Sequence, residues 1–276
     1  MQCNGGLAIV PIFTESEDDP TLPDLLGSGV MMQFGGKYFL LTAAHVLEAK
    51  RPESSLLIPS RSDKMVVISG PGMVSAAPGR NRKHDRFDCA WIEINPETAA
   101  EISHAHKFLG PEDIAADDAS STGDHYCLSG YPVSRSRFDA TRDAIRVTLL
   151  NFNGYAATEK TYRKSKANPI THVAVQYSKG KSTNTHGVMT RNDNPHGLSG
   201  GALWKWVCLP DGKTELRFLV GIIVEWDASN AVVIGTKVAF LIESIRSKLP
   251  DLNPYLPISS TMEVKIVEEG SEECPF

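Results

Sequence analysis

The chain lacks the features that mark a disulfide scaffold, a metal protein, a membrane-spanning protein or a nucleic-acid binder. Its five cysteines, Cys3, Cys89, Cys127, Cys208 and Cys274, are an odd number scattered through 276 residues. They form neither a Cys-x-x-Cys pair nor the Cys/His spacing of a zinc site, so reduced thiols in a cytoplasmic setting are expected, with no metal and no cofactor. No apolar run approaches the roughly 18 residues that cross a bilayer. Residues 1–13 lack the basic start, long apolar stretch and small-residue cleavage site of a secretory leader. Positive charge is not in excess: 28 Lys and Arg against 33 Asp and Glu leave a net charge of -5. That balance supplies no general attraction to nucleic acid or to an anionic membrane, and neither is expected as a partner. No internal repeat is visible, which argues against a solenoid or propeller.

What is present is material for a core, with 41% hydrophobic residues, arranged in short β-branched or aromatic segments separated by Gly, Pro, Asn and Asp. That pattern predicts an all-β protein. Strands are expected at 7–12, 29–34, 38–42, 55–58, 65–68 and 89–94, then at 125–130, 145–152, 171–176, 201–207, 218–225 and 231–237. Gly35-Gly36 is the turn of a tight hairpin. Val238, Leu241, Ile242, Ile245 and Leu249 fall at helical spacing and predict a helix over 238–250, and a second helix is expected at 102–109. The stretch 110–124, rich in Ala, Asp and Ser, divides the chain into a first β unit at 1–109 and a second at 125–237. Residues 251–276 read as an acidic tail carrying Glu263, Glu268, Glu269, Glu272 and Glu273.

Three segments carry chemistry. Leu40-Leu41-Thr42-Ala43-Ala44-His45 ends an apolar run on a histidine, Phe87-Asp88-Cys89-Ala90 sets an aspartate at the mouth of an apolar strand, and Gly197-Leu198-Ser199-Gly200-Gly201 places a serine among glycines. Taken singly, each is an ordinary turn or core residue. A serine hydroxyl becomes a nucleophile only with an imidazole to take its proton, a carboxylate to hold that imidazole, and amide donors for the oxyanion. The chain order His45, Asp88, Ser199 puts base and acid in the first β unit and the nucleophile in the second. Asp85 competes for the acid role. Asp88 is preferred because it adjoins a buried strand, whereas Asp85 stands among Arg82, Lys83 and Arg86 in what reads as a solvated basic loop.

In this ordered set the chain resembles the trypsin-like, chymotrypsin-fold serine peptidases. Ser129-Gly130-Tyr131-Pro132 is similar to a Gly-Tyr-Pro element of bacterial members, Val220-Gly221-Ile222-Ile223 to the strand lining the primary specificity pocket, and Gly235-Thr236-Lys237-Val238 to the entry into the terminal helix. The resemblance covers roughly residues 7–250. It implies two antiparallel six-stranded Greek-key β-barrels with the site at their seam, Ser199 as nucleophile, His45 as general base and acid, and Asp88 as orienting carboxylate. It also implies an oxyanion hole made by the amides of Gly197 and Ser199, and a protein or peptide as substrate.

The departures point to an intracellular or bacterial type. Val46 stands where secreted members often carry a cysteine, and Leu198 stands where many zymogen-activated members carry an aspartate, so activation by terminal clipping is not expected. The site is then either preformed or assembled by an activating protein partner. Asp193, six residues before Ser199, is placed to pair with a substrate Arg or Lys, although the run Arg191-Asn192-Asp193-Asn194-Pro195 equally explains it as a turn residue. His196, Val224 and Glu225 are further candidates for substrate contact. The alternative class is a latent or catalytically silent module of the same fold that binds peptides or partner proteins. An α/β-hydrolase is disfavoured by the β-rich pattern and the order of the three residues.

Overall fold

The computed structural model describes residues 7–17, 22–60, 64–118, 121, 123–139, 144–177, 182–183, 189–190, 194–208 and 215–259. The first part of the chain forms β1 (Ile9–Glu15), β2 (Pro23–Phe34), β3 (Lys37–Ala43), a short helix α1 (Ala44–Glu48), β4 (Leu56–Pro59), β5 (Met65–Ile68), β6 (Gly72–Val74), β7 (Cys89–Ile94) and α2 (Pro96–Ser103). The second part adds β8 (His125–Gly130), β9 (Ser136–Asp139), β10 (Ala144–Val147), β11 (Leu150–Tyr155), α3 (Glu159–Ser165) and β12 (His172–Gln176). The two-residue strands β13 (Ser182–Thr183) and β14 (Met189–Thr190) follow, then β15 (Ala202–Cys208), β16 (Glu215–Asp227), β17 (Val232–Lys237) and α4 (Val238–Lys248).

Two curled antiparallel sheets organise these elements. The first has seven strands in the order β5-β4-β1-β2-β3-β7-β6, one more than the expected six, and the second has six in the order β11-β8-β15-β16-β17-β12. The second sheet curls until its ends meet, with Ala156 bridging Val175 and the Ala157 amide donating to the Ala174 carbonyl at 2.8 Å. β9 with β10, and β13 with β14, form separate two-stranded ribbons.

The period of two along each strand explains why the central strands are apolar on both faces. Val10, Ile12, Met31, Leu40, Ala90 and Ile92 point into the first sheet's own core. Their neighbours Ile9, Val30, Phe39, Leu41 and Trp91 point the other way, into a shared layer with Cys127, Trp204, Leu219, Ile222 and the apolar face of α4. Tyr126, Leu128, Leu203, Val220 and Ile223 fill the second sheet. The layer between the sheets is thus a core in its own right, and Trp91 Nε1 crosses it to donate to Ser244 Oγ on α4 at 2.8 Å.

Several sequence expectations shift. The hairpin turn lies at Gly35-Gly36, both with positive φ (53° and 84°), which suits the right-handed strand twist. The helix expected at 102–109 lies earlier, as α2: Asn95 caps it by accepting the Thr98 amide at 2.8 Å, and Pro96 occupies its first turn. Residues 107–109 instead extend beside the first sheet, the Leu109 amide donating to Met31 O at 2.9 Å and Leu109 O accepting from Gln33 at 2.8 Å. Helix α3 was not anticipated; its signal is Thr158, whose hydroxyl accepts from the Thr161 amide at 3.3 Å. The terminal helix ends at Lys248, and Pro250 opens a 3-10 turn. Most of the acidic tail lies outside the described residues.

Candidate active site

His45 is the second residue of α1, which follows β3 directly, and Asp88 stands immediately before β7, the neighbour of β3 in the sheet. The pairing of Ala43 with Cys89 therefore brings the two residues together at one end of the strand pair. The first amides of a helix lack intrahelical acceptors, and Asp88 supplies them: its carbonyl accepts from Ala44 N at 3.0 Å and its Oδ1 from His45 N at 2.9 Å. Its other oxygen, Oδ2, lies 2.5 Å from His45 Nδ1. An ionised carboxylate only accepts, so Nδ1 carries the proton and Nε2 is left as a lone-pair base. Asp88 meets both donors from a left-handed backbone, φ 42°, a conformation that costs on the order of 1–3 kcal/mol unless its surroundings hold it.

Those surroundings come from both sheets. Asp85 is not solvated as its basic neighbours suggest; its side chain is 1% exposed, against 16% for Asp88. Arg82 Nη1 donates to Asp85 Oδ2 at 2.5 Å, Ser75 Oγ donates to the same oxygen, and Phe87 N donates to Oδ1 at 2.9 Å. Arg82 and Asp85 of the basic run therefore form a buried ion pair, so the expectation that Asp85 is solvated fails, whereas Asp88 does adjoin the buried strand β7 and is the carboxylate that meets His45. From the second sheet, Thr236 Oγ1 donates to the Phe87 carbonyl and His172 Nε2 lies 2.5 Å from the Arg86 carbonyl. Phe87 stacks between His172 and Phe240, with centroids 6.4 Å and 4.0 Å away.

His172 is 6% exposed, and its environment fixes the neutral tautomer: Nε2–H faces the Arg86 carbonyl, while Nδ1 accepts from Thr171 Oγ1 at 2.9 Å and from Asn168 N at 3.3 Å. Burial holds its pKa below the ordinary value, outweighing the raising effect of the Arg86 carbonyl. Below about pH 6.5 the unfolded chain then takes up a proton that the folded chain refuses, so stability present above that pH is lost as the pH falls through the folded value. Thermal midpoints measured from pH 7.5 to 5 should fall, and His172→Gln should flatten the dependence by up to about 1.4 kcal/mol per pH unit. A slope unchanged in the variant would mean that His172 takes up its proton at the same pH in the folded and the unfolded chain.

Ser199 belongs to the loop before β15. Ser28, fully buried on β2, ties this loop to the first sheet: its amide donates to Ser199 O at 2.7 Å, its hydroxyl donates to Gly197 O at 3.0 Å, and the same oxygen accepts from Tyr131 N at 2.8 Å. Its carbonyl accepts from Thr42 Oγ1 at 2.7 Å. A Cβ on Gly200, φ 82°, would collide with the Ser28 carbonyl and the Thr42 hydroxyl. A Cβ on Gly27 would lie 2.8 Å from Val46 Cγ2 and 2.9 Å from Ser199 O, so the residue after His45 and the backbone of Ser199 close on the same glycine. Ser28 was not singled out in the sequence. Its signal is Gly27-Ser28-Gly29 inside a strand, which marks a close approach of other backbone.

The amides of the serine loop alternate. Leu198 N donates to Pro195 O, Gly200 N to Ile223 O and Gly201 N to Leu198 O, at 3.0, 2.7 and 2.8 Å. Among the described residues, Gly197 N and Ser199 N have no backbone acceptor. In a trans peptide the N–H and C=O point to opposite sides. The His196 carbonyl is held by Val133 N at 2.9 Å and the Leu198 carbonyl by Gly201 N, which turns the two unused N–H groups away from the protein acceptors. Gly197 adopts φ 95°, and a Cβ there would lie 2.8 Å from both Tyr131 O and Val133 N. Among the described residues, the Ser199 hydroxyl makes no hydrogen bond, to His45 or to any other group.

A cleft of about 1500 Å³ opens from His45 and Asp88 between the 78–88 segment, the turn at 165–172 and β16, whose Val224 and Glu225 line it. A bulge between Ile223 and Glu225 turns Val224 into the first sheet's core and Glu225 toward the cleft. Partial desolvation first, then Asp227 and Asp88, hold the Glu225 pKa above the ordinary carboxylate value. His196 is exposed on the serine loop, and Asp193 lies outside the described residues. Cys89, beside Asp88, is wholly buried, which pushes its thiol pKa up and leaves it a thiol rather than a competing nucleophile. Among the described residues no group of three or more His, Cys, Asp or Glu is arranged to hold a metal ion, and no helix is long and apolar enough to cross a membrane.

No protein-family model and no curated protein matches the chain. Among solved structures it is similar to neuropsin, a serine protease expressed in the limbic system of mouse brain, with a TM-score of 0.54 over 90% of this chain and 97% of that one, at 16% identity. The fold is that of the chymotrypsin-like serine proteases. At that identity the likeness speaks for the two curled sheets and the terminal helix, and the chemistry of the cleft stands on the residues above.

Proposed function

We propose that the protein is a serine endopeptidase of the trypsin-like kind, acting on a narrow set of protein substrates through Ser199, His45 and Asp88. The observation that carries this reading is the two-oxygen grip of Asp88 on His45, one oxygen on the backbone amide and one on Nδ1, which leaves Nε2 as the only basic position of the ring. Ser199 Oγ attacks the substrate carbonyl carbon while Nε2 takes its proton, and the carbonyl electron pair moves onto oxygen, received by the unused amides of Gly197 and Ser199. Collapse expels the amine, which leaves with the proton from His45. Water, deprotonated by the same nitrogen, then releases the acyl group from Ser199.

Substrate alignment follows from β16. Its ladder with β15 ends at Ala202 and Ile222, with Ile223 bonded to Gly200 and Gly201. Among the described residues, Val224 is the bulged residue and Glu225 continues the ladder with Ile234 of β17 alone. An extended peptide added at that edge would run past His45. Cleavage after Arg or Lys is inferred from the place of Asp193 in the sequence, six residues before Ser199, and Glu225 adds negative charge to the cleft beside His45.

The absence of a hydrogen bond between Ser199 Oγ and His45 supports a second reading: a latent site that closes when an activating protein partner binds. Apo sites often hold this bond long, so covalent labelling separates the two. A fluorophosphonate should add once to the parent, detected by intact mass, and not to Ser199→Ala or His45→Ala. A folded parent that stays unlabelled would favour the latent module, and labelling that survives in Ser199→Ala would sink the nucleophile assignment.

A further inference from the structure

We propose that Asp85 is a positioning residue, which with Ser75, Arg82 and Glu48 holds the Asp88 backbone in the conformation that lets both carboxylate oxygens reach His45. This rests on the reading of His45 and Asp88 as base and orienting carboxylate. Asp88 has a left-handed φ of 42°, and the backbone amides of its two neighbours, Phe87 one peptide before its own and Cys89 directly after it, are both tied to the Asp85 cluster. On one side Phe87 N donates to Asp85 Oδ1 at 2.9 Å. On the other, Cys89 N donates to Ser75 Oγ at 3.0 Å, whose own proton goes to Asp85 Oδ2, and Ser75 N donates to Cys89 O at 2.9 Å.

Arg82 closes the circuit. Its Nη1 reaches Asp85 Oδ2 at 2.5 Å and the Ser75 carbonyl at 2.6 Å, while Nε and Nη2 fork onto the two oxygens of Glu48, the last residue of α1. α1 is the helix that carries His45. The path therefore runs from the imidazole through Asp88, the two flanking amides, Asp85, Arg82 and Glu48 back to the helix of the imidazole. Asp85 has every oxygen engaged and a side chain 1% exposed, and Arg82 is 17% exposed. A bidentate guanidinium–carboxylate pair fixes angle as well as distance, so the circuit restrains the orientation of α1 relative to the Asp88 turn. Thr236 and His172 hold the Phe87 and Arg86 carbonyls from the second sheet, which leaves Asp85 to set the amide side of the same turn.

The test compares Asp85→Asn, Asp85→Ala and Glu48→Gln with the parent, reading thermal midpoint, kcat and KM on a peptide, fluorophosphonate labelling rate, and the low-field proton NMR resonance of His45 Nδ1–H, assigned by its loss in His45→Gln. That resonance reports the His45–Asp88 bond whether or not substrate is turned over. Asp85→Asn keeps an acceptor for Phe87 N–H and loses the ion pair. It should move or broaden the resonance and lower kcat and labelling about 10- to 100-fold with KM little changed. Asp85→Ala should do more, and Glu48→Gln, which leaves Asp85 in place, should do less in the same direction. Folded variants that keep the parent resonance and labelling rate, whatever their thermal midpoint, would overturn the proposal. If neither Asp85 variant folds, Glu48→Gln decides by the same resonance. A parent that shows the resonance but is not labelled fails the peptidase reading alone, because the effect of the variants on the resonance still tests the positioning.

Discussion

Replacing Ser199 by alanine is expected to lower kcat for peptide hydrolysis by about a million-fold while leaving the protein folded and KM close to the parent value. The size follows from the unit character of the site: without the hydroxyl the base has no proton to take and the carboxylate no imidazolium to stabilise, and what remains is positioning and the two amides. That remainder still exceeds the reaction in water, by roughly 10³–10⁴. The unchanged fold follows from the structure, because among the described residues Ser199 Oγ has no hydrogen-bond partner whose loss would leave a buried group unsatisfied. The change in stability should stay within about 0.5 kcal/mol. The Ser199 carbonyl, which does hold Ser28 N at 2.7 Å, is backbone and survives the substitution. No neighbouring thiol takes over, since burial keeps Cys89 protonated. Kinetics and thermal midpoints of the two proteins check both halves, and turnover comparable to the parent would remove Ser199 from the mechanism.

The parts of this molecule that were legible in its sequence are those set by local chemistry. The near-continuous apolar run of 89–94 and Gly35-Gly36 between two apolar runs report burial and turn geometry directly. A fold built from consecutive antiparallel hairpins therefore shows through. The meeting of His45 with Asp88 was legible for the same reason, as each stands at a strand end, and Ser199, proposed as their nucleophile, was noticed because it stands among glycines, two of which have positive φ. What stayed hidden depends on which distant groups meet. Ser28 acts on Gly197, 169 positions away, and Arg82 acts on Glu48, 34 positions away. Neither contact leaves a periodic trace. Asp85 was misread because a run of charges normally means solvent; here Arg82 and two donors neutralise and satisfy the carboxylate, so the charges permit burial. Helix α3 was missed because a basic run of only seven residues with one buried tyrosine has no apolar stripe to recognise.

Asp88→Asn should lower kcat by about 10⁴-fold with little effect on the backbone, and the reason is a count of acceptors. Asparagine tolerates the left-handed conformation that Asp88 adopts, φ 42°. Asp88 receives two N–H groups on its side chain, the His45 amide on Oδ1 and the imidazole on Oδ2. Asparagine has one acceptor oxygen and one NH₂. The His45 amide can only donate, so the oxygen is held there and the NH₂ is left facing Nδ1. Two donors cannot share that contact, and the ring answers by moving its proton: Nδ1 becomes the acceptor and Nε2 carries the hydrogen. The nitrogen that must accept the Ser199 proton is then occupied, and the imidazolium formed during attack has lost the carboxylate that stabilises it. The reverse orientation, with NH₂ on the backbone amide, sets two donors against each other and breaks the cap on α1. A variant with the parent's thermal midpoint and KM, a collapsed kcat and a lost low-field Nδ1–H resonance is the expected signature. A kcat within about tenfold of the parent, beside the roughly 10⁴-fold loss expected when the tautomer is wrong, would show that a group other than Asp88 fixes the tautomer of His45.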